Sequence, residues 1–195
     1  RSVARVERPC GHAYCGSCMT ELRSKKVAQA CPLCRAKMPP GVEGLWELAC
    51  RIYMRVQGMV RRGEASWASL EAAEQAEMEE AVAMYTEAAA QGHSRAQCSL
   101  GVIYHEGQGV TRDVDRAEEL YTQAVQQGYA YAYNNLGLLL KNERQDVDGA
   151  EKAYRAAIEA DPGCGTAQCS VGAVRRAERT GGDGAEKALR AAGAA

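Results

Sequence analysis

Apolar side chains recur every three or four positions along most of the chain beyond residue 44. In the first such stretch, from Gly44 to Arg62, they are Leu45, Leu48, Ile52, Val56 and Met59. This spacing places them on one face of an α-helix, which we expect to end at Gly63. Ser69 has a suitable side chain to cap a second helix, which the pattern extends to about Gln91.

The pattern itself then repeats. The sequence AQCSLG, which begins at Ala96, returns as AYNNLG and AQCSVG at intervals of 36 and 35 residues. It alternates with YTEAAAQG, YTQAVQQG and YRAAIEAD, each of which begins with a tyrosine. Two helical stretches within a period near 35 residues predict a solenoid of helix-turn-helix repeats. Small residues such as Ala96 and Gly101 would let the helices approach closely, and we expect the tyrosines to fill the space between them.

The composition agrees with a mainly helical fold. Hydrophobic residues make up 46% of the 195, yet Phe is absent and aromatic residues are only 6%, so the core is built largely from small and aliphatic side chains. Such cores favour closely packed helices. The net charge of −1 gives no general attraction to nucleic acid or to an anionic membrane. No apolar run has the length of a membrane span.

Five of the nine cysteines lie between residues 10 and 34, together with one histidine. The six candidate metal ligands are Cys10, His12, Cys15, Cys18, Cys31 and Cys34. Thiolates and imidazole are the ligands of structural Zn²⁺, and a Cys-x2-Cys turn lets two thiolates bind one ion. We therefore expect zinc in a reducing, intracellular compartment, the cytoplasm or the nucleus. The spacing leaves open whether residues 10 to 18 bind one ion sequentially; thiols without a metal are the less favoured alternative.

The type and order of these ligands resemble the last six of the eight ligands in a RING finger. The histidine follows its cysteine by two positions as the fourth ligand, and Pro32 stands between the last two cysteines. The resemblance implies cross-bracing, with one complete site formed by Cys10, His12, Cys31 and Cys34. Cys15 and Cys18 would be half of a second site, whose first Cys pair we expect before residue 1. The chain alone should then bind about one zinc tightly.

RING fingers are typical of ubiquitin ligases, in which they bind a ubiquitin-conjugating enzyme and orient its ubiquitin thioester for reaction. The family pattern implies that Leu22, Pro32 and Leu33 form an apolar contact with that enzyme. Arg35 would be the cation that bridges the enzyme and ubiquitin. The zinc ions would be structural, because protein ligands fill all four positions of each. The chain would contain no catalytic residue of its own.

Residues 100–128, LGVIYHEGQGVTRDVDRAEELYTQAVQQG, resemble the Sel-one-like repeats, which are relatives of the tetratricopeptide repeats. The resemblance implies that the GQGV-x-x-D loop joins two helices. The sequence Met38-Pro39-Pro40-Gly41 breaks any helix and ends the finger. We therefore predict a mainly α protein in three parts: a RING remnant at 1–40, a helical connector at 41–80 and an α-solenoid at 81–195.

Two functions fit these parts. The first is a ubiquitin ligase or ligase component whose repeats recruit a protein or peptide, as substrate or adaptor, on the concave side of the solenoid. Tyr131, Asn134 and Asn135 could lie near that surface. The second is a non-enzymatic, zinc-binding scaffold for protein assembly. A nucleic-acid-binding zinc module is a distant third, since the basic residues near the N-terminus give only local charge.

The remaining chemistry-bearing residues are expected to be structural. We expect Tyr133 to pack between repeats. Cys50 and Cys98 should be small helix residues that are buried or partly exposed. His93 and His105 lack partners at metal-ligand spacing, so they are predicted to be surface or loop residues without a site.

Overall fold

The computed structural model describes residues 40–163, together with the backbone of residues 5–6 and 14–15. The two short segments are strands β1 (Arg5–Val6) and β2 (Tyr14–Cys15). They pair antiparallel, with residue 5 opposite residue 15 and residue 6 opposite residue 14. Apart from the backbone of Cys15, all of the predicted zinc ligands and conjugating-enzyme contacts lie outside the described residues.

Six α-helices follow within residues 40–163, which confirms the mainly helical class. They are α1 (Val42–Arg61), α2 (Ala72–Ala90), α3 (Ser94–Glu106), α4 (Val114–Val125), α5 (Ala130–Glu143) and α6 (Val147–Ala160). Among these helices, none is both long enough and apolar enough to cross a lipid bilayer.

The helices are arranged as three consecutive hairpins. The most extensive contacts lie within the pairs α1–α2, α3–α4 and α5–α6. Each hairpin then packs on the next through α2–α3 and α4–α5, and α3 also contacts α5 directly. Because each helix packs mainly on its neighbours along the chain, the structure is the solenoid of helix-turn-helix units that the repeats predict.

The apolar face predicted for α1 is the face that the structure buries. Leu45, Ala49 and Val56 are buried, and the first two lie in the core shared with α2 and α3. The predicted cap of α2 is wrong. Helix α2 begins after Glu71, which makes no side-chain capping bond, whereas the amide of Ser69 donates to the carbonyl of Ser66 in a short turn.

The packing within the second and third hairpins depends on a glycine and a tyrosine. A Cβ placed on Gly101 would lie 2.6 Å from Cε1 of Tyr121, and one on Gly137 would lie 2.6 Å from Cε1 of Tyr154. Both rings are buried, together with Tyr85 of α2. The tyrosines therefore fill the space between helices, as predicted, and the absence of a side chain at each glycine lets the ring lie against the backbone.

The GQGV-x-x-D loop joins α3 to α4, as the resemblance implied. Gly107 ends α3 in the left-handed conformation at φ 66°, which residues with a Cβ adopt at a cost. The carbonyl of Gly109 accepts from Nε2 of Gln75 at 3.2 Å, so the loop also contacts α2. Asp113 then caps α4, because its carboxylate accepts from the amide of Arg116 at 3.0 Å.

Candidate functional site

The first candidate site is the cysteine-rich segment near the N-terminus. In sequence, Cys10 and His12 lie between β1 and β2, and Cys15 belongs to β2. The two strands pair antiparallel on either side of these two residues in the sequence. Two Cys-x2-Cys pairs and one Cys-x-His unit form a donor set suited to tetrahedral zinc. Within the described part of the chain, no group of three or more His, Cys, Asp or Glu side chains could hold a metal ion.

The second candidate site is a face of the solenoid formed by the first helices of two successive hairpins. On α5, Tyr131 is 54% exposed and Leu138 is 37% exposed. They lie seven positions apart, with Asn135 between them, and this spacing places all three on one helix face. The positions 36 residues earlier on α3 are Arg95, Ser99 and Val102. We call the six residues the α3–α5 face: Arg95, Ser99, Val102, Tyr131, Asn135 and Leu138.

Of the three residues predicted to lie near the concave surface, Tyr131 and Asn135 belong to the α3–α5 face. Nδ2 of Asn135 donates to Sγ of Cys98 at 3.4 Å across the α3–α5 contact. Asn134 is only 7% exposed, so it is a buried packing residue and cannot serve as a surface contact. Tyr133 packs against Ala157 of α6, so this contact lies within the third hairpin and does not test its predicted packing between repeats.

Sequence reasoning missed Arg95, Val102 and Leu138 as members of the face. The repeat period links these positions, since adding 36 to positions 95 and 102 gives Tyr131 and Leu138. The repeat register pairs the exposed or partly exposed positions of α3 with those of α5.

The thiols of Cys98 and Cys50 are shielded from solvent to different degrees. Cys98 is buried between α3 and the following hairpin, and burial raises its pKa to about 11. Cys50 is partly exposed and accepts a hydrogen bond from the hydroxyl of Tyr85 at 3.3 Å, while burial raises its pKa. Burial also raises the pKa of Tyr85 and Tyr121. These neutral groups behave as core residues, as predicted for the two thiols.

His93 and His105, which were predicted to be surface or loop residues, make contacts that join helices. His93 is the N-cap of α3, because its Nδ1 accepts from the amide of Ala96 at 3.1 Å. Its Nε2 lies 2.8 Å from Oε2 of Glu43 on α1. His105 lies 3.5 Å from Glu143 and packs edge-on against Tyr121. Neither histidine has partners at metal-ligand spacing, and no local sequence pattern predicts these contacts between helices.

Ion pairs connect the second hairpin to the third. Arg144 pairs with Asp115 and with Glu118, the latter at 2.8 Å, and these hydrogen bonds raise the pKa of Arg144. Arg112 pairs with Glu143, and its hydrogen bond lowers the pKa of that carboxyl. These pairs connect neighbouring hairpins, but their side chains are exposed to solvent, so each contributes little to stability.

The described helices define the chain as an α-solenoid protein built on helix-turn-helix repeats. Residues 71–93 and 94–129 match the family model of the Sel1 repeat. Residues 3–34 match that of the zinc finger, C3HC4 type (RING finger), a span that includes all six candidate ligands. The chain therefore carries a RING-type segment, which implies zinc binding, followed by Sel1 repeats, which imply protein interaction. The three-part division at residues 40 and 80 stays a prediction.

Solved structures of repeat proteins are similar to this chain. A Sel1 repeat protein from Oxalobacter formigenes is 23% identical with a TM-score of 0.50; the match covers 80% of this chain and 54% of that protein, about half its length. The Sgt2 tetratricopeptide domain from Aspergillus fumigatus is 20% identical over 70% of this chain and 83% of that domain, with a TM-score of 0.48. No curated protein matches the sequence.

Proposed function

We propose that the chain is a ubiquitin ligase or ligase component that brings two proteins together. The finger binds a ubiquitin-conjugating enzyme, and the α3–α5 face binds a protein or peptide, as substrate or adaptor. The observation that carries the proposal is the presence, in one chain, of a C3HC4 match at residues 3–34 and Sel1 matches from residue 71. Such an arrangement raises the effective concentration of the bound protein near the ubiquitin thioester.

In the finger, zinc would supply only the rigid frame of the small domain, since protein ligands would take all four positions of the cross-braced site. The cross-braced site would be held by Cys10, His12, Cys31 and Cys34, and the second site in part by Cys15 and Cys18. The apolar side chains of Leu22, Pro32 and Leu33 bind the conjugating enzyme. Arg35 then donates hydrogen bonds to the enzyme and to ubiquitin, which orients the thioester for attack by an amine.

On the repeats, the α3–α5 face offers the groups that protein interfaces favour. Tyr131 and Leu138 present an aromatic and an aliphatic side chain to solvent, and Arg95 adds a cation at the matched position of α3. Tyrosine and arginine are enriched among residues that dominate binding energy. The face lies on helices whose opposite sides are fixed in the core, so binding requires little ordering of the protein.

The ligase part is tested by self-ubiquitination of the zinc-loaded protein with a panel of conjugating enzymes. We expect activity with at least one enzyme and a loss of roughly tenfold or more in Arg35→Ala, because the bridging hydrogen bonds are removed. Arg51→Ala is the matched control, since Arg51 is an exposed arginine on α1. No activity with any enzyme would instead favour the non-enzymatic scaffold, and activity that Arg35→Ala leaves unchanged would remove the bridging role of Arg35.

The repeat part is tested by the affinity of an identified partner for three variants. Tyr131→Ala and Leu138→Ala should each weaken binding, Tyr131→Ala by roughly tenfold or more if the ring is a central contact. Val147→Ala is the control, because Val147 on α6 is exposed to a similar degree as Leu138, 39% against 37%. If all three variants bound the partner with equal affinity, the α3–α5 face would not be the binding surface.

A further inference from the structure

The α3–α5 face continues onto the first hairpin. Helices α1, α3 and α5 are the first helices of the three hairpins. When their first residues are aligned, Ala49 of α1 matches Gly101 of α3 and Gly137 of α5, and all three are buried. The same alignment matches Glu43 of α1 with Arg95 of α3. Oε1 of Glu43 lies 3.6 Å from Nη1 of Arg95, so the matched positions are also neighbours in space.

Helix α1 adds four residues to the face, at successive turns: Glu43, Glu47, Cys50 and Met54. We call these residues and the α3–α5 face together the three-helix face. Met54 is 61% exposed, and with Tyr131 and Leu138 it accounts for three of the four large hydrophobic side chains that are exposed in the described part of the chain. Val102 of α3 lies between α1 and α5, so an apolar row of Met54, Val102 and Leu138 crosses all three helices.

The charges of the three-helix face are concentrated towards α1. Glu43 and Glu47 are both exposed, whereas the residues of α5 on this face carry no charge. Arg95 offsets one of these two carboxylates, because it pairs with Glu43. On α3, Glu106 is exposed at the position that matches Met54, so it adds a further carboxylate beside the apolar row. One end of the face is therefore acidic, and the other end is neutral and apolar.

Two arginines of α1 lie outside the face. The position of Arg51 matches that of Ile103 on α3, which is buried in the core shared with α1 and α2. A residue at this position faces the preceding side of the solenoid, so Arg51 lies on the side of α1 away from α3. Arg55 pairs with Glu77 of α2. Neither arginine therefore offsets the charge of Glu47 on the three-helix face.

The spacing of the helices favours an extended ligand. Packed helices lie about 8–10 Å apart, and every third side chain of a polyproline II segment lies on one side at intervals of about 9.3 Å. Such a segment across the face places three side chains, three positions apart, over α1, α3 and α5. Its backbone amides are open to hydrogen bonds. Asn135 lies beside the apolar row, and its Nδ2 donates to Cys98, so its oxygen is an acceptor for a ligand amide.

We propose that the three-helix face binds an extended peptide segment with a basic residue over α1 and apolar residues three and six positions from it, over α3 and α5. The basic group pairs with Glu47 while its aliphatic stem contacts Met54. The two apolar side chains contact Val102 and Leu138. The inference rests on the proposed function, because it states the class of partner that this face recruits.

The test is fluorescence polarisation of the zinc-loaded full chain with two labelled peptides, each about nine residues long. Both carry leucine at the two apolar contact positions and proline or glutamine elsewhere, and the remaining contact position is lysine in one peptide and glutamate in the other. Each is also made in the reverse order, because the charges do not fix the direction of the peptide chain. In one of the two orders the lysine peptide should bind about fivefold more tightly than the glutamate peptide, and added salt should reduce this preference.

Three variants separate the contacts. Glu47→Lys should reverse the preference, whereas Glu80→Lys, the same change at an exposed position of α2, should leave it nearly unchanged. Leu138→Ala should weaken both peptides alike, because it removes an apolar contact that they share. No binding of either peptide, no preference for lysine, or a preference that Glu47→Lys leaves unchanged would overturn the inference. The proposed function would still stand in each case if Tyr131→Ala weakened the binding of an identified partner.

Discussion

The ring of Tyr121 occupies the space that a side chain at position 101 would need. We predict that Gly101→Ala destabilises the protein by about 1–3 kcal/mol, since the strain of overpacking exceeds the gain in helix propensity. Gly58→Ala is the matched control on α1, because its Cβ would lie 3.3 Å from the flexible end of Arg62. That change should be neutral or stabilising by up to about 1 kcal/mol.

Chemical unfolding followed by circular dichroism measures both variants. If Gly101→Ala proved as stable as Gly58→Ala, the close contact between the tyrosine ring and the backbone of α3 would not be a feature of the folded protein.

Because the Cys98 thiol is buried, the free energy of unfolding should depend on pH. Burial raises its pKa from 9.0 to about 11, so the folded state retains a proton that the unfolded state loses between these values. The stabilisation is therefore complete below about pH 9 and is lost as the pH rises towards 11, by roughly 2–3 kcal/mol in all. Urea unfolding at about pH 8 and about pH 10.5 tests this. The wild type should lose more stability than Cys98→Ala, and equal losses would contradict the burial of the thiol.

At the scale of the element, the start of α4 depends on one carboxylate. Asp113→Ala should lower stability by about 1 kcal/mol, because the amide of Arg116 loses its acceptor. Asp113→Asn should retain most of the stability, since asparagine is an equally good cap. The midpoint of urea unfolding measures the difference. If Asn were as damaging as Ala, the charge of Asp113 would matter more than its capping bond.

At the scale of the whole molecule, zinc and the helices are expected to be separable. Within residues 40–163 no side-chain cluster could hold a metal, so chelation should leave the helical signal and its thermal transition nearly unchanged. Zinc released from the finger is measured in the same sample with a colorimetric indicator. A large loss of helix on chelation would show that the finger supports the repeats.

The ligand arrangement of the finger is tested by Cys31→Ser. Under cross-bracing this change removes a ligand from the site that contains Cys10, so the one tightly bound zinc should be lost. Under sequential binding by residues 10 to 18, that zinc should remain. Metal analysis of the two proteins separates the arrangements, and two tightly bound zincs in the wild type would contradict the expected stoichiometry.

The sequence alone determined the class of fold and the nature of the candidate sites. Helical spacing, the period near 35 residues and the paired glycines and tyrosines are local or repeated features, so they can be read without coordinates. The order of the Cys and His ligands likewise identified the finger, because metal coordination restricts residue type and spacing. The prediction that Ser69 caps α2 was wrong, because a short turn that is equally compatible with serine forms there instead.

Only the tertiary structure decided which polar residues face solvent and which join helices. Asn134 and Asn135 are neighbours of one type, yet the first is buried and the second belongs to the α3–α5 face. His93 and Glu43 are 50 positions apart, and no local pattern links them. Such contacts depend on how hairpins are rotated against each other, and this rotation follows from the packing of many side chains at once.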